Sequence, residues 1–376
     1  MAFLKFLSIL RGSLIIGFTM QFFAAEFLST LLLFVVVLSF IVFIHELGHF
    51  LPARYYGIKV DTFSIGFGKE IFGWTDTKGT RWKFSWIPLG GYVKFLGDTD
   101  AASTSVDKML AEEDKLNCLH YRPVKERVIV SFGGPAANYL LAIVLFFSVF
   151  FFSGQPEMSS KIDSFIENSP AQSAGLLVGD EIKSINGQQV ASLPDILKVM
   201  GGLSLPNVDV EVERNGVAHH YMFLANSLKT GESERFILGL KTGRGQRFQL
   251  GSSLYTAIAL PFQISIDTLL HIKNMILKTS MDGLGGPVAI AKQLKQALGY
   301  GVWVVIFFAA HVSVALGFFN LLPIPTLDGG HLMFYGIEAV RGRPVSEKIQ
   351  EWAFAIGLGA LLLLTLFVTY KDVFLK

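Results

Sequence analysis

The sequence predicts a polytopic α-helical membrane protein of four spans, with a strand-rich segment after the first span and an α+β domain inserted before the third. Charged residues are 16% of the 376 and apolar types 51%, with 34 Phe, whereas ordinary globular chains carry roughly 25% charged residues. The apolar residues gather in uncharged runs of about 18 or more, the length that crosses a hydrocarbon core about 30 Å thick. Between two of these runs, from about Met158 to Arg244, the composition turns polar. A net charge of +2 is too small for a protein that binds by neutralising phosphates, so nucleic acid is excluded as a partner. The single Cys118 excludes an intramolecular disulfide and a CxxC metal site, and it reads as an inert thiol.

Residues 1–26 form an N-terminal apolar extension with three open readings. Lys5 and Arg11 before Ser13 to Phe23 and Ala24-Ala25 resemble a signal peptide. Equally, the stretch extends the first span, or Met20 is the true start. The first span is assigned to 27–51, the second to 128–152, the third to 301–330 and the fourth to 352–370. Residues 253–299 are read as interfacial amphipathic helices, because Pro261, Asp267, Lys273 and Lys278 interrupt an otherwise apolar pattern. Lys and Arg near the span ends favour the loops after the first and third spans, with Arg54, Lys59, Arg122, Lys125, Arg127, Arg341 and Arg343. Those loops are therefore assigned to the cytoplasmic side.

Within the 52–127 loop, Lys59 to Phe67 and Arg81 to Trp86 alternate with period two and are rich in aromatic and β-branched residues. They read as strands joined by a turn over Gly73 to Gly79, either a hairpin dipping toward lipid or a small cytoplasmic sheet.

In the 158–245 region, Ser169-Pro170 opens a short helix ending at Gly175, Glu181-Ile182 starts a strand that turns at Asn186-Gly187, and Ser192 to Met200 is a second helix. Val208–Val212 and His219–Phe223 form a hairpin through Asn215-Gly216. The run Ala174 to Ile182 is similar to the Ala-Gly-Leu-x-x-Gly-Asp-x-Ile signature of bacterial PDZ domains. That resemblance implies a peptide ligand added as a strand at a sheet edge, or a steric filter.

The chemistry is carried by His45-Glu46-Leu47-Gly48-His49. On a helix the two imidazoles share a face and can bind one Zn²⁺, and the adjacent Glu can act on a water there. A pair of interfacial histidines with a snorkelling Glu is the bland alternative, but three ionisable groups in five residues at an apolar helix end are tolerated only when they pair, ligate or face water. A catalytic zinc needs a third protein ligand. Spans one and three run in the same direction, so the end of the third delivers Asn320-Leu321-Leu322-Pro323-Ile324-Pro325-Thr326-Leu327-Asp328-Gly329 to the same depth, which nominates Asp328.

With both motifs in view, the chain resembles the site-2 protease family of intramembrane zinc metalloproteases, in its bacterial regulator-of-sigma-E-protease branch with a PDZ insertion. The resemblance covers roughly residues 27 to 370 and includes Gly134-Pro135-Ala136-Ala137-Asn138 as a Gly-x-x-x-Asn-like element. It implies His45, His49 and Asp328 as zinc ligands, Glu46 as catalytic base and Asn320 as a substrate contact. It implies single-span membrane protein substrates, such as anti-sigma factors or remnant signal peptides, a bacterial inner-membrane location with the PDZ domain periplasmic, and an active site near the cytoplasmic face. The segment after the first span resembles the family's re-entrant β-hairpin. A departure is the single PDZ domain, where the best-known relatives have two.

A membrane helix must unwind before its peptide bonds can be attacked. The strands around Trp82, Phe84 and Trp86 and around Tyr92 to Leu96 are expected to offer an edge for the unwound substrate, with Asn320 holding its backbone. The alternative function is a non-catalytic PDZ-containing membrane adaptor with a structural metal site, which needs ligands but no Glu46. His311 reads as a packing histidine, His331 as either an active-site hydrogen bonder or an interfacial residue, and His219, His220 and His271 as solvated. Gly283 to Gly286 with Pro287 reads as a hinge or cap, since no Lys-Ser/Thr follows to make a nucleotide loop.

Overall fold

The structure is a computed structural model that describes residues 2–98, 111–153, 160–166, 168–191, 193–202, 205–230, 233–242, 250–278, 285–299 and 301–374. Gly283 and Ser192 of the sequence reading lie outside the described residues. The chain divides into two compact units, residues 1–147 with 255–376, and residues 148–254.

The first unit begins with α1 (Ala2–Tyr55), β1 (Val60–Thr75), β2 (Arg81–Phe95), α2 (Glu112–Lys115) and α3 (Val124–Ser148). After the second unit it resumes with α6 (Leu250–Lys278), α7 (Pro287–Gly299), α8 (Val302–Asn320), α9 (Asp328–Arg341) and α10 (Glu347–Phe374). Among the described residues, five helical stretches are long and apolar enough to cross a membrane: Leu28–Tyr55, Val124–Ser153, Leu250–Met275, Val302–Asn320 and Glu347–Phe374. Their outer faces expose Leu32, Leu140, Leu363 and Leu366, apolar surface that belongs in lipid rather than water.

Helix directions follow from the contacts. Phe34 and Leu38 border the same narrow gap as Phe308 and Val312, while Val42 and His45 share a cavity with Leu316 and Asn320, so α1 and α8 run parallel. Gly133 of α3 abuts Gly48, and Phe146 meets His311, so α3 runs antiparallel to both. The α1–α3 crossing is backbone on backbone: a Cβ on Gly48 or on Gly133 would collide with the other's carbonyl oxygen. Small residues of this kind let helices approach where lipid supplies no hydrophobic drive between them.

The third helix departs from the sequence reading. It ends at Asn320, and a separate helix, α9, starts at Asp328. Pro323 and Pro325 withdraw two backbone donors. Gly329 and Gly330 then let the start of α9 settle on the carbonyls of Leu321, Leu322 and Ile324, positions where a Cβ would collide.

The strands pair as a hairpin that folds back on itself. Thr62–Ile65 of β1 is matched on one side by Arg81–Phe84 and on the other by Gly91–Lys94, while Phe72–Thr75 pairs with Arg81–Phe84 again. The arm order is therefore 91–95, 60–65, 81–85, 70–75. The turn is tighter than the sequence reading of Gly73 to Gly79: β1 runs through Thr75, and Asp76 Oδ1 accepts from the Lys78 and Thr80 amides at 2.9 and 3.0 Å. The hairpin root packs Phe63, Val93 and Phe95 against Phe50 and Val130, whereas Ile71, Phe72 and Trp86 at the far end are exposed.

The second unit contains β3 (Ile162–Phe165), α4 (Pro170–Ser173), β4 (Glu181–Ile185), β5 (Gln188–Gln189), α5 (Leu193–Gly201), β6 (Asn207–Arg214), β7 (Val217–Leu224), β8 (Asn226–Thr230), β9 (Ser233–Ile237) and β10 (Leu240–Thr242). Its largest sheet has the order β5-β4-β6-β7, with β10–β3 and β8–β9 as separate pairs. Ser169 caps α4 by accepting from the Gln172 amide, and Asn215 and Gly216, both at positive φ, close the β6–β7 hairpin. Ile162, Leu176, Ile182, Ile185, Val210 and Val212 form the core.

Asp180, 1% exposed, receives two hydrogen bonds of 2.7 Å from Arg214 and one of 2.8 Å from the Leu177 amide. Burial pushes its carboxyl up, but the bonds from Arg214 and Leu177 outweigh this and hold it below the usual carboxylate range. A carboxyl held low stabilises the fold above the ordinary carboxylate pKa, and that contribution is lost as pH falls through its lowered value. Asp180→Asn should therefore destabilise this unit by about 2 kcal/mol near neutral pH. Hydrogen exchange of β4 and β6 amides in the intact protein measures the deficit, which should shrink on acidification.

Candidate active site

His45 and His49 sit one turn apart on α1 with Glu46 between them, all at the buried end of an apolar helix. Asp328, the first residue of α9, reaches them: its Oδ2 is 3.2 Å from His45 Nε2 and its Oδ1 3.4 Å from His49 Nε2, while the two Nε2 atoms are 3.2 Å apart. Donors bound 2.0–2.1 Å from a tetrahedral zinc lie about 3.4 Å from one another. The three residues thus fit a zinc ion. A second sign of fit is that Asp328 Oδ2 is buried with no hydrogen-bond partner.

The far sides of both rings are held by α3. His49 Nδ1 lies 2.8 Å from the Val130 carbonyl, which can only accept, so Nδ1 carries the proton and Nε2 keeps a lone pair. His45 Nδ1 lies 3.1 Å from the Asn138 amide, whose Oδ1 is buried and unpartnered. Oxygen and nitrogen of an amide are interchangeable in shape. Placing Oδ1 against the His45 Nδ1–H satisfies that oxygen and frees the second Nε2, the arrangement that metal-bound imidazoles require. Gly134 completes the frame, since a Cβ there would collide with His49 Nε2 and approach His45 Cε1 at 2.9 Å. Gly134 and Asn138, four residues apart on one face of α3, therefore make room for the imidazoles and orient one of them. Ser313 of α8 fixes the same turn, donating to the Asn138 carbonyl at 2.9 Å.

A cavity of about 450 Å³ opens from this cluster and is lined by Glu46, Tyr92, Asn320, Thr326, His331 and Tyr335, among others. Glu46 accepts a hydrogen bond from the Val93 backbone. Asn320, expected from its motif, is on the cavity wall, and so is His331. Trp82, Phe84 and Trp86 are not. Trp82 stacks on Phe63 and Trp74, with ring centroids at 4.4 and 5.9 Å, while Phe84 and Trp86 are exposed. Their arm is paired on both sides, so it has no free edge; the outer arm beside the cavity is Gly91–Phe95. His311 donates to the Phe307 carbonyl at 3.0 Å, packs edge-on to Phe146, and lies apart from the cluster. Val130 and Tyr335 escaped the sequence reading: one acts through its carbonyl, which no side-chain pattern reports, and the other carries no motif.

A membrane-type helical bundle with an HExxH helix and a remote carboxylate defines a class, the membrane metalloproteases. Residues 33–364 match peptidase family M50, and the chain belongs to that family. A relative in Rhizobium meliloti named zinc metalloprotease is 36% identical over 355 residues, covering 90% of this chain and 95% of that protein. The metalloprotease MmpA of Caulobacter vibrioides is 33% identical over 386 residues, covering 92% and 96% respectively. A Rickettsia conorii relative, also named zinc metalloprotease, is 35% identical, covering 90% and 97%. The chain is a site-2-type zinc metalloprotease.

The frame around the imidazoles is open to test by zinc titration against a chromophoric chelator. Asn138→Ala should weaken zinc binding about 10–100-fold, and Gly134→Ala should displace His49 and lower zinc content further.

Proposed function

We propose that the protein is an intramembrane endopeptidase that cleaves transmembrane segments of single-span membrane proteins during regulated proteolysis, with anti-sigma factors or remnant signal peptides as the substrate class. His45, His49 and Asp328 hold the zinc, Glu46 is the general base, and Asn320 contacts the substrate backbone. The observation that carries this reading is the convergence of three ligand atoms and a buried Glu46 on one cavity at the end of an apolar helix.

When bound, zinc supplies Lewis acidity to water and to the scissile carbonyl. Glu46 takes the proton of the attacking water and returns it to the leaving amine. The Val93 N–H steadies the Glu46 carboxylate, and apolar wall residues such as Val42, Phe67, Phe95, Leu119 and Leu316 limit water around it. A purely structural site would have no use for a base at this position, which favours the enzyme over an adaptor. The unwound substrate is taken as an added strand along Gly91–Phe95.

In this reading the spans number four. The end of α3 and the start of α8 lie together, through Phe146 and Phe307, so the chain between them must cross an even number of times. Helix α7 has 13 residues, about 20 Å, too short to return across the core, which favours an interfacial position for α6. The second unit is a PDZ domain on the periplasmic side of a bacterial inner membrane, where it binds peptide or filters substrates, and the exposed far end of the hairpin dips into lipid.

In proteoliposomes with a model single-span substrate, Glu46→Gln should lower cleavage by about 10²–10⁴-fold while zinc content stays at one per chain; loss of zinc instead would move Glu46 into the ligand set. Tyr92→Pro, which alters the outer arm, should impair cleavage at unchanged zinc content. Unaltered cleavage would remove the strand-addition step and leave the chemistry intact.

A further inference from the structure

Helices α3 and α9 face one another along two matched stripes. On α9, Asp328, His331, Tyr335 and Glu338 recur at intervals of three or four residues, and on α3 Arg127, Ser131, Gly134 and Asn138 do the same, so each set shares a helix face. The stripes meet rung by rung. Arg127 Nη1 and Nη2 donate to the two carboxylate oxygens of Glu338 at 3.0 and 2.5 Å. The same guanidinium lies 4.8 Å over the Tyr335 ring, and the Tyr335 hydroxyl is hydrogen-bonded to Ser131. At the other end Asp328 meets the imidazoles that Gly134 and Asn138 frame.

Arg127 is buried and Glu338 half-buried, at 10% and 15% side-chain exposure. Arg127 is itself anchored, because its Nε donates to the Arg122 carbonyl at 2.9 Å, and Arg122 reaches the Tyr56 carbonyl at the end of α1. On the opposite face of α9, Val340 is 89% exposed. What precedes Asp328 is the irregular segment from Leu321 to Leu327.

We propose that the Arg127–Glu338 pair is a positioning clamp that sets the axial position and rotation of α9 and so holds Asp328 at the metal. The inference rests on the reading of Asp328 as a zinc ligand. Ten residues of helix separate Glu338 from Asp328, about 15 Å, so the pair acts through the helix, without touching the metal or the substrate. A point contact would stop α9 from sliding but would leave it free to turn. A bidentate guanidinium–carboxylate pair fixes both, because two parallel bonds define a plane as well as a distance. Stability alone does not call for this pair, since apolar residues of similar volume commonly serve as well or better in such a place. A metal site has a different requirement, a ligand oxygen held within a few tenths of an ångström.

The experiment uses the full chain in detergent and reads zinc affinity by chelator competition and, without zinc, amide hydrogen exchange. Arg127→Lys keeps the charge but loses the fork; Glu338→Gln keeps the shape but loses the charge. Each should weaken zinc binding about 10-fold or more and raise exchange selectively in α9. Exchanging the pair, Arg127→Glu with Glu338→Arg, should recover part of the affinity. Asp328→Ala is the control for the underlying reading: unchanged affinity there would remove Asp328 from the ligand set. If Asp328→Ala weakens zinc binding while Arg127→Lys and Glu338→Gln leave it intact, the clamp is overturned. A uniform rise in exchange across α1, α3, α8 and α9 in both variants would make the pair a general stabiliser and overturn it as well.

Discussion

The structure depends on one constraint: two imidazoles and a carboxylate must converge, with their lone pairs aimed at a common point, at the end of a bundle whose outer surface is hydrocarbon. Such groups are costly in that setting unless a cation or full hydrogen bonding satisfies them. Here each imidazole spends its outer nitrogen on α3, through the Val130 carbonyl and Asn138, and turns its inner nitrogen to Asp328. Polar groups in the buried face of α3 are therefore spoken for: Asn138 serves His45, while Ser131 bonds the Tyr335 hydroxyl of α9.

Bringing the carboxylate to that point imposes its own geometry. A continuous helix through residue 330 would carry Asp328 past the histidines on a straight axis. Breaking the helix at Asn320, turning through the two prolines and restarting at Asp328 puts the carboxylate at a helix N-terminus, where the macrodipole favours negative charge. The glycines at 329 and 330 are required by this break and restart, because backbone carbonyls occupy the space a side chain would need. At the α1–α3 crossing the Gly48–Gly133 contact does the corresponding work, letting α3 come close enough for its carbonyl at Val130 to reach an imidazole.

This division explains what was legible in the sequence. His45, Glu46 and His49 are visible because three chemical groups fall in one helical turn, and Asp328 because spans one and three run in the same direction and two prolines end the third just before it. The hairpin's strands show through period two, yet that pattern is silent about partners, so the double pairing of Arg81–Phe84 with Thr62–Ile65 and with Phe72–Thr75, which leaves that arm no free edge, could not be read. Arg127 and Glu338 are 211 positions apart, and nothing in the local pattern around either one names the other as its partner. In α6, Pro261 and scattered charges interrupt the apolar pattern, yet Leu250–Met275 still forms a helix long and apolar enough to cross a membrane, which local polarity alone did not reveal.

In the proposed reading, the outer hairpin arm links substrate capture to the base. Val93 belongs to the arm that borders the cavity, and its N–H is the group that donates to Glu46. In the proposed reading, a substrate strand laid along Gly91–Phe95 is registered against the same backbone that orients the carboxylate, so the scissile bond and its base share one reference. A helical segment presents no free backbone to that arm, its amides being committed to carbonyls four residues back. On that proposal, selection for unwound chain follows from strand geometry itself, ahead of any side-chain recognition, and the cavity residues Asn320 and Tyr92 need only refine a choice that hydrogen-bond pairing has already made.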